Sequence, residues 1–465
     1  MDVKQFGAKG DGVTNDTAAI QAALNAAVVS PTEIRSVYFP AGKYMVTGLV
    51  NNSRVAMVGS DPQNTALIGM DATTPIITYN NDLSQVLLRN ITIDRSVPAT
   101  AGGYGIYSAA SGMGFHFENL YIRNQDIGLL LEGNIAGAWF VDSMVMDNVR
   151  DGVRVAISNM TFSNVYSMNN GGSGFYFYRG TGGLYMTKCE SFNNGGHGVW
   201  IGALDKQTDH IYDVLLEQLS IGTNLGYGIL LDSNGANICI SDSFIEYAGS
   251  NPSQTALNNR EGIYITPYNQ KVDINNCIVV WNAGSGMTIL ADGVKVNGGI
   301  YALNSLLYAG TYAGIVVGEN VKRTIIRGVS SCRYTQDLAA TQGYGIKLLA
   351  GADEYLVADS DLKNNLTGAV YLDTAVGKKG KIKDCMGFNP IGAISPQPAV
   401  PASGVVFANS YSATCQVLIH GGGVTWIGKN GQGIAGMQSG TITLEPNETI
   451  QINYTSVPYW TWFGM

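Results

Sequence analysis

Along most of the chain, apolar and polar residues alternate in short runs, and a glycine opens each run. The recurring unit is turn–Gly–apolar–x–apolar. It appears as "YGIYS" at Gly105, "IGLLLE" at Gly128, "DGVRV" at Gly152, "SGFYF" at Gly174, "HGVWI" at Gly198 and "YGILLD" at Gly228. It continues as "EGIYIT" at Gly262, "SGMTI" at Gly286, "AGIVV" at Gly314, "YGIKL" at Gly345 and "TGAVY" at Gly368, with successive glycines 22 to 34 residues apart. A second alternating strand precedes each unit, as in "FHFENLYI" and "LYMTKCESF". Alternation with period 2 predicts strands that bury one face. A coil this short cannot bury that face alone, but stacked coils share a continuous core. The prediction is an all-β, right-handed parallel β-helix of about 11–13 coils. Leucine-rich repeats lack a matching pattern here, and propeller blades need a longer period.

The ends break the period. Residues 15–27, "NDTAAIQAALNAA", read as a helix with Asn15 or Asp16 as N-cap and an apolar stripe of Ile20, Ala23, Leu24 and Ala27. Such a helix would shield the open end of the stack. The expected organisation is an N-terminal cap over 1–45, the β-helix over 46–387, a Pro-rich linker over 388–402 and a small C-terminal β domain over 403–465. Asn169-Asn170, Asn193-Asn194, Asn282 and Asn364-Asn365 mark turns. There Asn and Gly tolerate left-handed backbone, and stacked Asn side chains can bond between coils.

Composition narrows the function. Glycine supplies 59 of 465 residues, charged residues only 13%, and the net charge is −8. No G-X-Y period exists, and 45% apolar residues exclude a disordered chain. The acidic balance argues against a nucleic acid or an anionic membrane as partner. The six cysteines show neither a C-x-x-C pair nor metal-ligand spacing, and read as free apolar fillers. No run approaches a membrane span, and the N-terminus shows no signal peptide, so no membrane insertion is expected. "GAKGDG" lacks the spacing of a nucleotide loop. Neither a cofactor nor a metal is expected.

Aligning the units on their glycines turns the repeat into columns. Positions +1 and +3 face inwards, so +2 and +4 face out, with −1 at the turn on the same side. The −1 column contains Asp151, His197, Tyr227 and Glu261, and the +2 column contains Arg154, Tyr176, Trp200 and Tyr264. The +4 column adds Tyr178 and Asp232. The coils beyond are bland, with Ser285, Thr288, Ala313 and Val316. Aromatic faces stack on sugar rings and charged groups fix hydroxyls, so the patch reads as a glycan groove. A buried subunit interface would be enriched in the same residues. Glu261, Asp232, His197 and Tyr227 are the candidate catalytic groups. Asp151, Arg154, Tyr176, Tyr178, Trp200, Tyr264 and Asp209 are the candidate substrate-binding ones. Asp209 lies on an inserted stretch, 203–213, and further insertions at 248–260 and 334–343 could wall the groove. By strand rise, Asp232 and Glu261 are some ~16 Å apart, too far for an inverting pair unless the turn folds back.

"FGAKGDGVTNDTAAIQAAL" followed by "VYFPAGKYMV" resembles the N-terminal signature of the pectin-lyase-like superfamily of right-handed β-helices. Polygalacturonases, pectate lyases, mannuronan C5-epimerases and phage tailspike depolymerases belong to it. The ending "SGTITLEPNETIQINYTSVPYWTWFG" resembles C-terminal β domains of phage tailspikes, which implies a homotrimer. "GGHGVWIG" resembles polygalacturonases around His197, but their companion motifs are missing. Mannuronan epimerases carry Tyr-Gly-apolar-Asp-Pro-His, where this chain has Tyr227 and Gly228 but Leu230 and Asp232. The resemblance implies a tailspike-type depolymerase of a bacterial surface or extracellular polysaccharide, on a virion tail or outside the cell. Hydrolysis is preferred because few cations (Arg154, His197, Lys347) could neutralise a uronate. A lyase or C5-epimerase, and a non-catalytic glycan-binding spike, are the alternatives.

Overall fold

A computed structural model describes the chain apart from residues 31–32, 81–82, 181, 203–209, 251–259, 333–337, 390–391, 412 and 435. Its body is one 35-stranded parallel sheet wound into stacked coils. Register follows the +2 column from Tyr107 through Leu130, Arg154, Tyr176, Trp200, Leu230, Tyr264, Thr288 and Val316 to Lys347, and Val50 and Thr78 extend it towards the N-terminus. The last unit departs from the alignment by one residue: Gly368 pairs with Tyr344, so Lys347 meets Tyr371, which is +3 from its glycine. The fold is the right-handed parallel β-helix that the repeat predicts. Its interior is apolar: Phe117, Phe140, Phe162 and Phe175 follow one another edge to face with centroids 6.0 to 6.3 Å apart. Cys189, Cys277, Cys385 and Cys415 are buried, while Cys239 and Cys332 are partly covered, and all six are free thiols.

The repeat glycines owe their place to crowding rather than to left-handed backbone. None of those that open the units has a positive φ. A Cβ at Gly198 would lie 2.4 Å from Ile221 Cγ2, and one at Gly228 would lie 2.4 Å from Ile245 Cγ2. Left-handed turns are taken instead by asparagines such as Asn169 and Asn193, at φ 57° and 56°. Their sequence neighbours build a buried amide ladder. Asn148 Nδ2 donates to Asn170 Oδ1, Asn170 Nδ2 to Asn194 Oδ1 and Asn194 Nδ2 to Asn224 Oδ1, at 2.8 to 2.9 Å.

The helix runs Thr17–Ala26 and buries Ile20, Ala23, Leu24 and the following Ala27. Asp16 stands at its N-cap, but its carboxylate turns away to accept the N–H groups of Lys9 and Gly10. Asn15 serves the helix instead, accepting from the Thr17 N–H and hydroxyl. Within 1–45, strands Asp11–Asn15, Val37–Phe39 and Gly42–Val46 already pair into the parallel sheet. Past the last coil, two four-stranded sheets enclose a second core around Trp462, Ile427 and Ile450. The Pro-rich stretch is tied to that core through Gln397, which bonds the backbone of Trp462. No helix among the described residues is long and apolar enough to cross a membrane.

Candidate functional site

Backbone bonding sets the −1 column. The N–H of Gly174 donates to the His197 carbonyl, that of Gly198 to the Tyr227 carbonyl and that of Gly228 to the Glu261 carbonyl. His197, Tyr227 and Glu261 therefore occupy the same position in consecutive coils, roughly 5 Å apart per step. Their side chains form one assembly. The His197 and Tyr227 rings stack at 5.3 Å and 15°, and Tyr227 stacks on Tyr264 at 4.7 Å and 25°. Trp200 sets its indole edge-on to His197 at 5.1 Å.

Arg260 completes the centre, and the columns missed it. It sits at −2, inside the stretch read as an insertion, although its place beside Glu261 was the available signal. Its Nη1 donates to the Tyr227 hydroxyl at 3.0 Å, and the guanidinium lies 4.9 Å from that ring's centroid. The pair leaves the phenol proton free to point away from the cation.

The local electrostatics separate the groups. Burial raises the Glu261 carboxyl to about 7 against the pull of Arg260, and Thr288 Oγ1 offers only a long bond of 3.5 Å. Burial, then Arg260, depress the His197 imidazole to about 4, with Asp232 opposing. The Tyr227 phenol is raised by burial and by the Glu261 charge, and Arg260 partly offsets this. Both Asp232 and Glu261 act on Tyr227 and on Tyr264, so the two carboxylates bear on a shared pair of rings. At neutral pH the centre holds a half-ionised carboxyl, a neutral imidazole and a protonated phenol.

Two coils away the picture differs. The Arg154 guanidinium lies 5.1 Å from the Tyr176 ring centroid and 5.0 Å from that of Tyr178, and reaches Asp151 at 3.9 Å. Asp151 also accepts the Ser173 N–H, and burial raises its carboxyl. The alternation predicts open faces for Tyr176 and Tyr178, but they are only 6% and 3% exposed. Trp200 lies flat on Tyr176 at 3.9 Å and 8°, so the tyrosines form a floor and Trp200 is the ring nearer solvent. Asp209 lies outside the described residues, as do most of the three insertions. Among the described residues, no group of three or more His, Cys, Asp or Glu is placed to hold a metal.

Fold and site together define a right-handed parallel β-helix whose outer face carries a stack of rings and ionisable groups. Residues 1–227 match the family described as rhamnogalacturonase A/epimerase, pectate lyase-like. Mannuronan C5-epimerase AlgE2 of Azotobacter vinelandii is 29% identical over 247 residues, 46% of this chain and 24% of that protein. The capsule K30/K69-specific Depolymerase 1 of Klebsiella phage K5-2 is 28% identical over 242 residues, 43% of this chain and 30% of that one. The solved A-module of the Azotobacter vinelandii epimerase AlgE6 superposes with a TM-score of 0.61 at 20% identity, covering 83% of this chain and 98% of that module. The chain spans about a quarter or less of the length of the full epimerases it matches.

Proposed function

We propose that the chain cleaves an acidic bacterial polysaccharide, of a cell surface or an extracellular matrix, by β-elimination on the His197–Tyr227–Glu261 face. The observation that carries this reading is Glu261, a carboxyl near 7, standing beside a Tyr227–Arg260 pair. A base works best when its pKa lies near the operating pH. Arg260 neutralises the uronate carboxylate and so acidifies C5. Ionised Glu261 takes the C5 proton, the C4–oxygen bond breaks as the C4–C5 double bond forms, and the Tyr227 phenol protonates the leaving oxygen. Trp200 and Tyr264 offer rings to the sugars. Arg260 removes the reason for preferring hydrolysis, which was the scarcity of cations. The relatives' names support a polysaccharide substrate, and mannuronan is a uronate polymer. A trimer on a virion tail or outside the cell suits such an enzyme.

Hydrolysis is the second reading, favoured by the two carboxylates that bear on Tyr227 and Tyr264. There Glu261 is the general acid and Asp232 the base. The pH profile separates the two. In elimination Glu261 must be ionised, so kcat/KM rises with pH through about 7. In hydrolysis Glu261 must be protonated, so kcat/KM falls through the same range. The assay offers alginate, pectate and capsular polysaccharides, and follows reducing ends together with the ultraviolet absorbance of unsaturated uronates. Reducing ends without absorbance sink the elimination reading. Binding with neither signal leaves a glycan-binding spike.

A further inference from the structure

The surroundings of His197 decide which ring nitrogen can hold a proton. Nδ1 accepts the backbone N–H of Tyr227, one coil on, at 3.0 Å. The His197 backbone N–H donates to Ser173 Oγ at 3.1 Å, and the ring is clamped between Tyr227 and the edge of Trp200. Residue 226 must be glycine for this approach, because a Cβ there would lie 2.4 Å from Nδ1. A nitrogen that accepts a hydrogen bond carries no proton, so the neutral ring bears its proton on Nε2. A second proton would set N–H against N–H and replace a bond between coils with a repulsion.

We propose that His197 is a positioning residue for Tyr227, held as the neutral Nε2–H tautomer, and that it carries no proton in the reaction. This role rests on the face being the reactive site. The groups that bear on the ring are Arg260, which opposes its protonation, Asp232, which favours it, and the stacked phenol of Tyr227. Burial adds to Arg260, and together they outweigh Asp232. The imidazole thus acts as a wedge between coils. It bonds the Tyr227 backbone and stacks on its ring, which fixes where the phenol stands relative to Arg260.

Nitrogen NMR on the labelled full chain tests the tautomer without any substrate. Of the four histidines, the one whose signal disappears in His197→Asn should show the neutral Nε2–H pattern and no titration between about pH 5 and pH 8. A midpoint near the usual histidine value overturns the proposal. Turnover of alginate, read as unsaturated uronate, tests the positioning role. His197→Ala should lose on the order of 10- to 100-fold in kcat with the shape of the pH profile kept. His197→Asn places Oδ1 where Nδ1 stood and should recover about tenfold of that loss. Equal loss in both variants, or a vanished limb of the profile, also overturns it. If the wild type releases no unsaturated uronate, the elimination reading fails by itself, and the NMR result still decides the state of His197.

Discussion

Glu261→Gln tests the electrostatic core of the site before any substrate is known. The carboxyl moves from its ordinary 4.5 to about 7 because the fold removes water from it. A shift of this size corresponds to about 3.4 kcal/mol at 1.36 kcal/mol per unit. Glu261 is only partly buried, so solvent screening lowers the expected effect to about 1–3 kcal/mol. The sign follows from proton binding. Between pH 4.5 and about 7 the folded chain holds a proton that the unfolded chain has released, so wild-type stability falls as pH rises through that window. The glutamine amide never ionises and escapes the penalty. The variant should match the wild type at about pH 4 and exceed it by about 1–3 kcal/mol at about pH 8. Urea unfolding of both proteins at both pH values, compared at a common m-value, gives the difference directly. Effects of other titrating groups cancel between variant and wild type. A difference that is the same at both pH values would refute the reasoning, because Glu261 would then titrate like a solvated carboxyl. The same variant should lose its turnover, since an amide can neither take nor give the proton.

Two further substitutions probe the ladder and the cation. Asn194→Ala removes a side chain that donates to Asn224 Oδ1, Ser191 Oγ and the Ser167 carbonyl and accepts from the Asn170 backbone and side chain. At about 1 kcal/mol per bond the cost is about 3–5 kcal/mol, and a urea-unfolding loss below about 1 kcal/mol would contradict the ladder's role. Arg260→Ala should lower kcat/KM on an acidic glycan by about 10²-fold or more, with circular dichroism unchanged. An unaffected rate would remove Arg260 from the site.

The backbone was far more legible than the chemistry, and the reason lies in periodicity. Spacing of Gly105 through Gly368 gives the coil. Alternation after each glycine assigns inward and outward positions, and the observed pairing from Tyr107 to Lys347 follows that column. The same alignment put His197, Tyr227 and Glu261 side by side. Features that depend on side-chain reach escaped it. Arg260 stands outside every aligned column, yet its long side chain reaches Tyr227. Tyr176 and Tyr178 point outwards as expected, but neighbouring coils bring Trp200 and Arg154 over them, so outward does not mean exposed. The glycines were legible by position but not in cause. A left-handed turn and a contact too close for a Cβ both demand glycine, and a sequence cannot tell them apart.

That second cause bears on how the site is built. At Gly198 and Gly228 the carbonyl oxygen of the next coil's glycine lies 2.6 Å from where a Cβ would be, so adjacent coils meet closely at the point where the −1 residues emerge. Close backbone approach brings consecutive −1 side chains into contact, which is why an imidazole, a phenol and a carboxyl three coils deep act on one another. One set of the backbone bonds that hold them joins glycine N–H to main-chain carbonyl groups. That ladder does not depend on side-chain identity, although His197, Ser173 and Asp151 each also accept the N–H of the next residue in the column. Ser285 and Ala313 occupy it in the coils beyond Glu261 with the same bonding. A scaffold of this kind can exchange its reactive groups coil by coil while keeping the glycine-to-carbonyl ladder, at the cost of those side-chain bonds. It is consistent that the epimerase module shares the coil stack at only 20% identity. The reaction then depends on which few positions along the ladder carry Tyr, His, Arg or a carboxyl, and Gly226 shows the cost of placing them. Setting an imidazole under the Tyr227 N–H required removing even a methyl group from the coil above.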